Sequence, residues 1–271
     1  MTNSSTNYPH NSQPLKDSIA VFDSGVGGIT VLAAARKLLP GENFRYFADI
    51  VHAPYGDKDS GQVLSLMKQN IDYLVAQGTK AVVIACNTAT SAAAEALRSY
   101  LSLPVLGIEP ALKPAALAHR HIVVLATKLT LREEKFARLL QNIGGDCQVI
   151  PLACPGLMEL AEADFASEEA HIYLNNLLYP YRECMEAVVL GCTHYVFFRP
   201  WIQQSFPRLA IYDGNQGVSQ HLAHVLAEKK LLNPTNQCGK IIWDCSLQQG
   251  RQRQEFVAKC QRYYQYARTM V

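Results

Sequence analysis

Several features that define large classes of protein are missing from this sequence. No apolar run approaches the ~18 residues of a membrane-spanning helix, so we expect no membrane segment. The net charge is only +2 and the Lys and Arg residues are dispersed, so neither nucleic acid nor a membrane surface is an expected partner. Residues 1–17 are polar, contain Pro9 and Pro14 and include no hydrophobic segment, which indicates a disordered N-terminal extension rather than a signal peptide. We therefore expect a cytoplasmic protein with reduced cysteines.

Metal-ligand spacing is absent as well. The chain has eight cysteines but no Cys-x-x-Cys pair. Cys192 and His194 lie two residues apart, yet two ligands do not close a metal site. We expect no metal site, and we interpret the cysteines that belong to no motif as small buried hydrophobes: Cys147, Cys154, Cys184, Cys238, Cys245 and Cys260.

The sequence does contain a near repeat. Residues 82–88 (VVIACNT) and 188–194 (VVLGCTH) each have the pattern of a short buried strand, then a small residue, a cysteine and a polar pair, after which helical sequence begins. A cysteine at the N-terminus of a helix lies where backbone N–H groups and the helix dipole favour a thiolate, so we expect both Cys86 and Cys192 to be activated. A thiolate and a thiol on opposite sides of a bound molecule can remove a proton from one face and return one to the other.

The alternation of apolar strands and helical stretches predicts an α/β fold. The 271 residues exceed what one core usually organises, and the rhythm restarts midway, which indicates two similar domains, each a mostly parallel sheet flanked by helices. We expect the first domain at 18–114 plus 222–271, with the final third packed back on it, and the second at 115–221. Ligands bind at the carboxyl ends of the strands in such sheets, where both cysteines fall, so the active site is expected in the cleft between the domains.

One helix of the predicted second domain carries a start signal. The pattern predicts a helix over 131–142, with Thr130 and Glu133 forming its capping box.

Polar residues also follow the first two predicted strands. The first strand leads into 23–28 (DSGVGG) and the second into Asp49 and then 54–56 (PYG). A glycine-rich turn, a helix and an acidic residue after the next strand resemble a dinucleotide-binding fingerprint. The pattern fails because Thr30 occupies the third glycine position and Asp23 would place a carboxylate against a pyrophosphate. We expect instead that the glycines let backbone amides approach a small carboxylate ligand.

Five motifs resemble those of the glutamate racemases, cofactor-independent enzymes that supply D-glutamate for peptidoglycan: DSGVGG at 23–28, PYG at 54–56, CNT at 86–88, IEP at 108–110 and GCTHY at 191–195. The resemblance runs from about residue 18 to residue 220. It implies that Cys86 and Cys192 transfer protons, that glutamate is the substrate and that no cofactor is used. The substrate contacts it implies are Asp23, Ser24, Tyr55, Gly56, Asn87, Thr88, Thr193 and His194.

The resemblance extends to further residues and to partners. Glu162 matches a family carboxylate, and Asp49 is a further candidate for the site. Val196 departs from the family, which usually has proline there, and this predicts an altered turn beside the site. Members of the family commonly form homodimers. The extension at 1–17 resembles that of the Gram-negative branch, whose activity responds to a nucleotide-linked peptidoglycan precursor, and whether this chain is so regulated is left open.

The residues alone leave several alternatives open. Asp23 and His194 are candidate helpers, one near each cysteine, although Asp23 also suits a turn cap and His194 a strand-end histidine that bonds backbone groups. Glu162 equally suits an exposed position on a helix. Nothing indicates a pyridoxal lysine or a metal, so charge on the substrate would be stabilised by fixed dipoles, such as the N–H groups of residues 25–28.

Two other functions compete with the glutamate hypothesis. Aspartate racemases share the plan of two cysteines and two domains, so a related acidic amino acid such as aspartate is an alternative substrate. A nonenzymatic amino-acid-binding regulator, in which the two cysteines are mere strand-end hydrophobes, is the alternative from a different class.

Overall fold

The computed structural model describes residues 15–143, 147–234 and 237–271, which form two parallel sheets flanked by helices. The predicted α/β class with two similar sheets is confirmed. Of the predicted disordered extension at 1–17, residues 1–14 lie outside the described residues. Among the helices of these three segments, none combines the length and the apolar character that a membrane span needs.

The strands divide between the two sheets. In chain order they are β1 (Ser18–Asp23), β2 (Asn43–Ala48), β3 (Thr79–Ile84), β4 (Val105–Gly107), β5 (His121–Ala126), β6 (Gln148–Ala153), β7 (Ala187–Leu190), β8 (Ala210–Asp213) and β9 (Ile241–Cys245). The first sheet has the order β4-β3-β1-β2-β9 and the second the order β6-β5-β7-β8. Every pairing in both sheets is parallel, so the carboxyl ends of the strands in each sheet lie along one edge.

Helices cover both faces of each sheet. They are α1 (Ile29–Leu38), α2 (Ser60–Ala76), α3 (Asn87–Tyr100), α4 (Leu112–Ala118), α5 (Lys128–Arg132), α6 (Glu134–Gln141), α7 (Leu157–Asp164), α8 (Glu168–Leu178), α9 (Arg199–Ser205), α10 (Asn215–Glu228) and α11 (Arg251–Ala267). Short 3-10 helices occur at Ile50–His52, Tyr55–Asp57, Tyr179–Tyr181 and Thr193–Phe198.

The central strand β1 shows why the sheets are covered on both sides. All six of its residues are buried, as expected of a parallel strand between two helical layers. Ile19 and Val21 belong to the core shared with α1, α10 and α11, whereas Ala20 and Phe22 belong to the core shared with α2 and α3. The two-residue period of the strand therefore feeds two separate cores.

The C-terminal segment returns to the first sheet. Strand β9 pairs with β2, and α11 packs along α1 and against β9. The predicted boundary at 221/222 falls inside α10, whose Val218, Leu222 and Leu226 pack in the core of the first sheet. A boundary before Asn215 keeps this helix whole, and the division of the chain into domains otherwise stays a prediction.

Two local predictions in the second half were wrong. The helix predicted over 131–142 is broken at Glu133 into α5 and α6. The predicted capping box does not form, because the Thr130 N–H donates to Thr127 Oγ1 at 3.2 Å and the Glu133 carboxylate accepts a hydrogen bond from Ser60 Oγ. The hydrogen bond from Ser60, a residue distant in the sequence, engages the Glu133 carboxylate, which a capping box would have used for a backbone N–H.

Candidate active site

Both cysteines of the near repeat lie just beyond the carboxyl ends of strands. Cys86 follows β3 and is the N-cap of α3, with its sulfur accepting a hydrogen bond from the Ala89 N–H at 3.4 Å. Cys192 follows β7 in the second sheet and precedes a 3-10 helix. The two residues are free thiols and are only 6% and 7% exposed. Because both residues are buried, little water reaches their sulfurs in the interdomain cleft.

The thiol of Cys86 is held in its protonated form. Burial, then the nearby Asp23 carboxylate, and to a lesser degree charge on Cys192 raise the pKa of Cys86 to about 12. The Ala89 N–H and Ser24 Oγ, which lies 3.6 Å from the sulfur, oppose this rise without overcoming it. The expectation that both cysteines are activated by a helix N-terminus is therefore wrong for Cys86.

Asp23 joins the two domains at the centre of the site. It ends β1 and is fully buried, and its carboxylate accepts hydrogen bonds from the Gly25 N–H at 2.8 Å and from Thr193 Oγ1 at 3.2 Å. Burial raises the pKa of Asp23, although the charge of His194 opposes that rise. A first-domain carboxylate thus holds the residue that follows Cys192.

A hydrogen-bonded chain leads away from Cys192. His194 Nδ1 lies 3.8 Å from the Cys192 sulfur, and His194 Nε2 lies 2.9 Å from Glu162 Oε1. Burial alone would lower the pKa of His194, but its hydrogen bonds to Cys192 and Glu162 raise it well above the ordinary value. Burial would likewise raise the pKa of Glu162, but His194 and Lys259 lower it to about 2. The result is an imidazolium that an ionised carboxylate holds beside the Cys192 sulfur.

The glycines of the 23–28 turn allow the domains to approach closely. A Cβ at Gly27 would lie 2.5 Å from both His194 Nδ1 and Thr193 Oγ1, closer than real Cβ atoms come. The Val26 N–H donates to Glu162 Oε1 at 2.7 Å, and the Gly25 N–H donates to Asp23. The expectation that these two amides face a carboxylate ligand is wrong, because they bind carboxylates of the protein itself.

One wall of the site is formed by polar groups from both domains. Asn87, at the start of α3, is 4% exposed, and its Oδ1 has no hydrogen-bond partner among the described residues. Beside it, Thr88 Oγ1 lies 2.9 Å from Thr127 Oγ1 and 3.3 Å from Thr130 Oγ1, both of the second domain. Buried oxygens normally accept a hydrogen bond, and the N–H groups of a bound ammonium would provide the donor that Asn87 Oδ1 lacks.

Asp49 and Tyr55 form a support beside this wall. The Tyr55 hydroxyl donates to Asp49 Oδ2 at 2.7 Å, Asn70 Nδ2 donates to the same oxygen at 2.9 Å, and His52 Nδ1 lies 2.8 Å from Asp49 Oδ1. The fully buried Asp49 therefore uses both oxygens on its own neighbours and orients the buried Tyr55 ring.

A small cavity lies between the 54–57 turn of the first domain and the second domain. Gly56, Thr127, Cys154 and Tyr195 border a cavity of about 30 Å³, which has room for only one or two water molecules. Thr127 was missed by sequence reasoning, although it directly follows β5 and so carries the same strand-end signal as the cysteines.

Within the described segments, no cluster of three or more His, Cys, Asp or Glu side chains could hold a metal ion. The Val196 position, where the racemase resemblance predicts an altered turn, lies within the 3-10 helix and is 4% exposed.

Comparison with known proteins places this geometry in a family. A model of the Asp/Glu/hydantoin racemases matches residues 42–221, a range that includes Cys86, Glu162 and Cys192 but not Asp23. The glutamate racemase of Clostridium perfringens is 44% identical over 229 residues, which cover 82% of this chain and 88% of that protein. The chain belongs to the Asp/Glu/hydantoin racemase family.

Solved structures of racemases share the same fold. The glutamate racemase of Thermus thermophilus in complex with beta-chloro-D-alanine is 35% identical, with a TM-score of 0.77 over 93% of this chain and 94% of that one. The Escherichia coli glutamate racemase in complex with L-glutamate and the activator UDP-MurNAc-ala is 27% identical, with a TM-score of 0.81 over 92% of this chain and 96% of that one. The likeness therefore spans both sheets of this racemase.

The close approach at Gly27 predicts the effect of adding a methyl group there. In Gly27→Ala the Cβ would collide with Thr193 and His194. Overpacking of this kind costs about 1–3 kcal/mol, so the closed arrangement should open roughly tenfold more often or beyond. We expect Cys86 and Cys192 to react correspondingly faster with iodoacetamide, as measured by mass spectrometry of each cysteine. The control is Gly217→Ala, where a Cβ meets nothing within 4 Å; equal reaction rates in the two variants would contradict the prediction.

The raised pKa of Cys86 predicts how its alkylation rate depends on pH. Only the thiolate is alkylated, so the rate at Cys86 should still be climbing well above pH ~8.5, the value for an unperturbed cysteine, as the pH approaches its pKa of about 12. The measurement is the alkylation rate of Cys86 against pH in Cys192→Ser, with the exposed Cys184 as an internal reference. A plateau at Cys86 below pH 8.5 would show that its thiol is activated after all.

Proposed function

We propose that this chain is a glutamate racemase that interconverts L- and D-glutamate by a two-base mechanism and supplies D-glutamate for peptidoglycan synthesis. The observation that carries the proposal is that the two buried cysteines have different charged neighbours. Burial and Asp23 keep Cys86 protonated, whereas Cys192 lies against an imidazolium. One acid and one base are what inversion at a carbon requires.

The reaction with L-glutamate begins at Cys192. The Cys192 thiolate takes the α-proton, which leaves an electron pair on the α-carbon, and the Cys86 thiol delivers its proton to the opposite face. The product is D-glutamate, and the enzyme is left with a Cys192 thiol and a Cys86 thiolate, the arrangement that processes D-glutamate in the reverse direction. The assignment of Cys192 to L-glutamate and Cys86 to D-glutamate rests on the family resemblance.

Binding of the substrate falls to the polar wall. The unpartnered Oδ1 of Asn87 suits the α-ammonium group, and the hydroxyls of Ser24, Thr88 and Thr193 suit carboxylate oxygens. Gly56, which borders the small cavity between the domains, and the buried Tyr55 complete the set of residues proposed to contact the substrate. Asp23 and His194 assist the chemistry in this proposal, because the charge of Asp23 acts on Cys86 and His194 lies against Cys192. Fixed dipoles in a closed site stabilise the charge that develops on the substrate.

The relatives support glutamate over aspartate as the substrate. The Clostridium perfringens protein is a glutamate racemase, and the Escherichia coli enzyme was solved with L-glutamate bound. A pocket built for the longer side chain places its distal donors out of reach of the aspartate carboxylate, which costs more than the ~1–3 kcal/mol of one methylene in apolar contact. Aspartate is therefore the competing substrate against which the proposal is tested.

We extend the proposal to partners and location. The protein acts in the cytoplasm, without a cofactor, as a homodimer. Because the Escherichia coli relative was solved with the activator UDP-MurNAc-ala, a nucleotide-linked peptidoglycan precursor is proposed as an activator here as well. A racemisation rate that stays the same when UDP-MurNAc-Ala is added would reject the regulatory part alone.

The first test is proton exchange in heavy water. When the purified protein is incubated with L-glutamate in D₂O with no added cofactor, deuterium should appear at the α-carbon together with D-glutamate, because the acid that returns the proton is a solvent-exchanged thiol. NMR and chiral chromatography measure the two signals. L-aspartate should react far more slowly; equal rates would make the protein a racemase of broader or different specificity. Folded, reduced protein that gives neither signal would leave an amino-acid-binding regulator as the better reading.

The second test separates the two cysteines from each other. Cys86→Ser and Cys192→Ser replace a thiol with a much weaker acid, so each should lower racemisation by roughly 10²–10⁴-fold, the scale of a general acid or base. Each variant keeps one thiol, so each should still eliminate chloride from one enantiomer of 3-chloroglutamate: Cys86→Ser from the L form and Cys192→Ser from the D form. Cys260→Ser, at a buried cysteine outside the site, is the matched control. A Cys86 or Cys192 variant that racemises as fast as the control would overturn the two-base mechanism.

A further inference from the structure

The C-terminal helix α11 belongs to the first sheet but reaches into the second domain beside the site. Its Tyr263 hydroxyl donates to the Ala161 carbonyl at 2.8 Å, and its Lys259 Nζ lies 2.8 Å from Glu162 Oε2. Phe165, at the end of α7, stacks edge-on against Tyr263 with ring centroids 5.0 Å apart. One side of α11 therefore contacts the end of α7 and the residue that follows it, at Ala161, Glu162 and Phe165.

The carboxylate of Glu162 is shared between the two domains. Its Oε1 accepts hydrogen bonds from the first-domain Val26 N–H at 2.7 Å and from the second-domain His194 Nε2 at 2.9 Å, and its Oε2 accepts from Lys259. Val26 and Lys259 belong to the first domain, so two of the three hydrogen bonds to this carboxylate cross the domain boundary.

We propose that Lys259 is a positioning residue of the reaction: its ion pair with Glu162 holds the His194 ring against Cys192, so that the base on the Cys192 side is assembled by domain closure. The inference rests on the proposed two-base function. Lys259 acts through Glu162 and His194 and touches neither cysteine.

The surroundings of this pair favour a functional effect. The side chains of Lys259 and Glu162 are only 23% and 17% exposed, so their attraction is screened less than that of a surface pair. Lys259 Nζ also lies over the Tyr263 ring, 5.5 Å from its centroid, which restrains the ammonium group. The titratable groups that feel the charge of Glu162 are His194 on the 3-10 helix, Asp23 on β1, Tyr46 on β2, and Lys259, Cys260 and Tyr263 on α11.

The effect of Lys259 should be confined to one side of the substrate. Cys86 bonds Ser24 and Ala89 and has no link to the chain from Lys259 to His194 among the hydrogen bonds of the described residues. Racemisation rates cannot show an effect on one base only. Because the equilibrium constant between L- and D-glutamate is one, kcat/KM must be equal in the two directions in every variant. An irreversible reaction that uses one base at a time can reveal such an effect.

Elimination from the two enantiomers of 3-chloroglutamate provides this separation. The base takes the α-proton, the electrons form the Cα–Cβ double bond and chloride leaves, after which water converts the enamine to 2-oxoglutarate and ammonium. In Lys259→Met we expect the rate with the L enantiomer to fall about 10-fold, the scale of one lost charge-assisted hydrogen bond, and the rate with the D enantiomer to change less than about 3-fold. Lys259→Arg, which keeps the charge, should recover most of the loss.

Two further variants sharpen the test. Arg262→Met removes a positive charge from an exposed position on the same helix and should leave both enantiomers unaffected. In a Glu162→Gln background, Lys259→Met should have no further effect, because its target is gone. An equal fall with both enantiomers, an unchanged L rate, or an effect that persists in Glu162→Gln would each overturn the role of Lys259. Wild-type protein inert toward both enantiomers would instead refute the proposed two-base function.

Discussion

Burial of two carboxylates, one from each domain, is the constraint on which the rest of the site depends. An unpaired buried carboxylate costs several kcal/mol. Asp23 of the first domain is satisfied in part by Thr193 of the second, and Glu162 of the second is satisfied by Val26 and Lys259 of the first. Because each domain completes the hydrogen bonds of the other's carboxylate, the closed cleft is a stable arrangement, and opening it has an electrostatic cost.

The same constraint explains why the cysteines differ although their sequences nearly repeat. Both follow buried strands and precede helical segments, so the local sequence predicts that both are thiolates. Their neighbours differ: Cys86 lies near the Asp23 carboxylate, and Cys192 lies near the His194 imidazolium. The charges of Asp23 and His194, which are distant in the sequence, distinguish the two cysteines more than the position at a helix N-terminus does.

Much of the fold could be predicted because it is written in local patterns. Parallel strands buried on both faces appear as short apolar runs, and the apolar residues that begin the near repeats at 82–88 and 188–194 lie in β3 and β7. The cysteines were found because ligands gather at strand ends. Other features depend on contacts between distant residues: Glu133 ends a helix by bonding Ser60, and Lys259 meets Glu162 from 97 positions away. The direction of the Cys86 pKa shift required knowledge of its burial, which no motif reports.

The near-complete burial of both sulfurs has a kinetic consequence. In the proposed mechanism each turnover leaves the proton on the opposite cysteine from where it began, so the enzyme exists in two forms, one competent for each enantiomer. A buried thiol exchanges protons with water only while the cleft is open, which is also when product leaves. Release of product and resetting of the protonation state are therefore coupled to one motion. At a high substrate concentration the cleft would close again before the protons exchange, and the enzyme would stay in the form left by its last product.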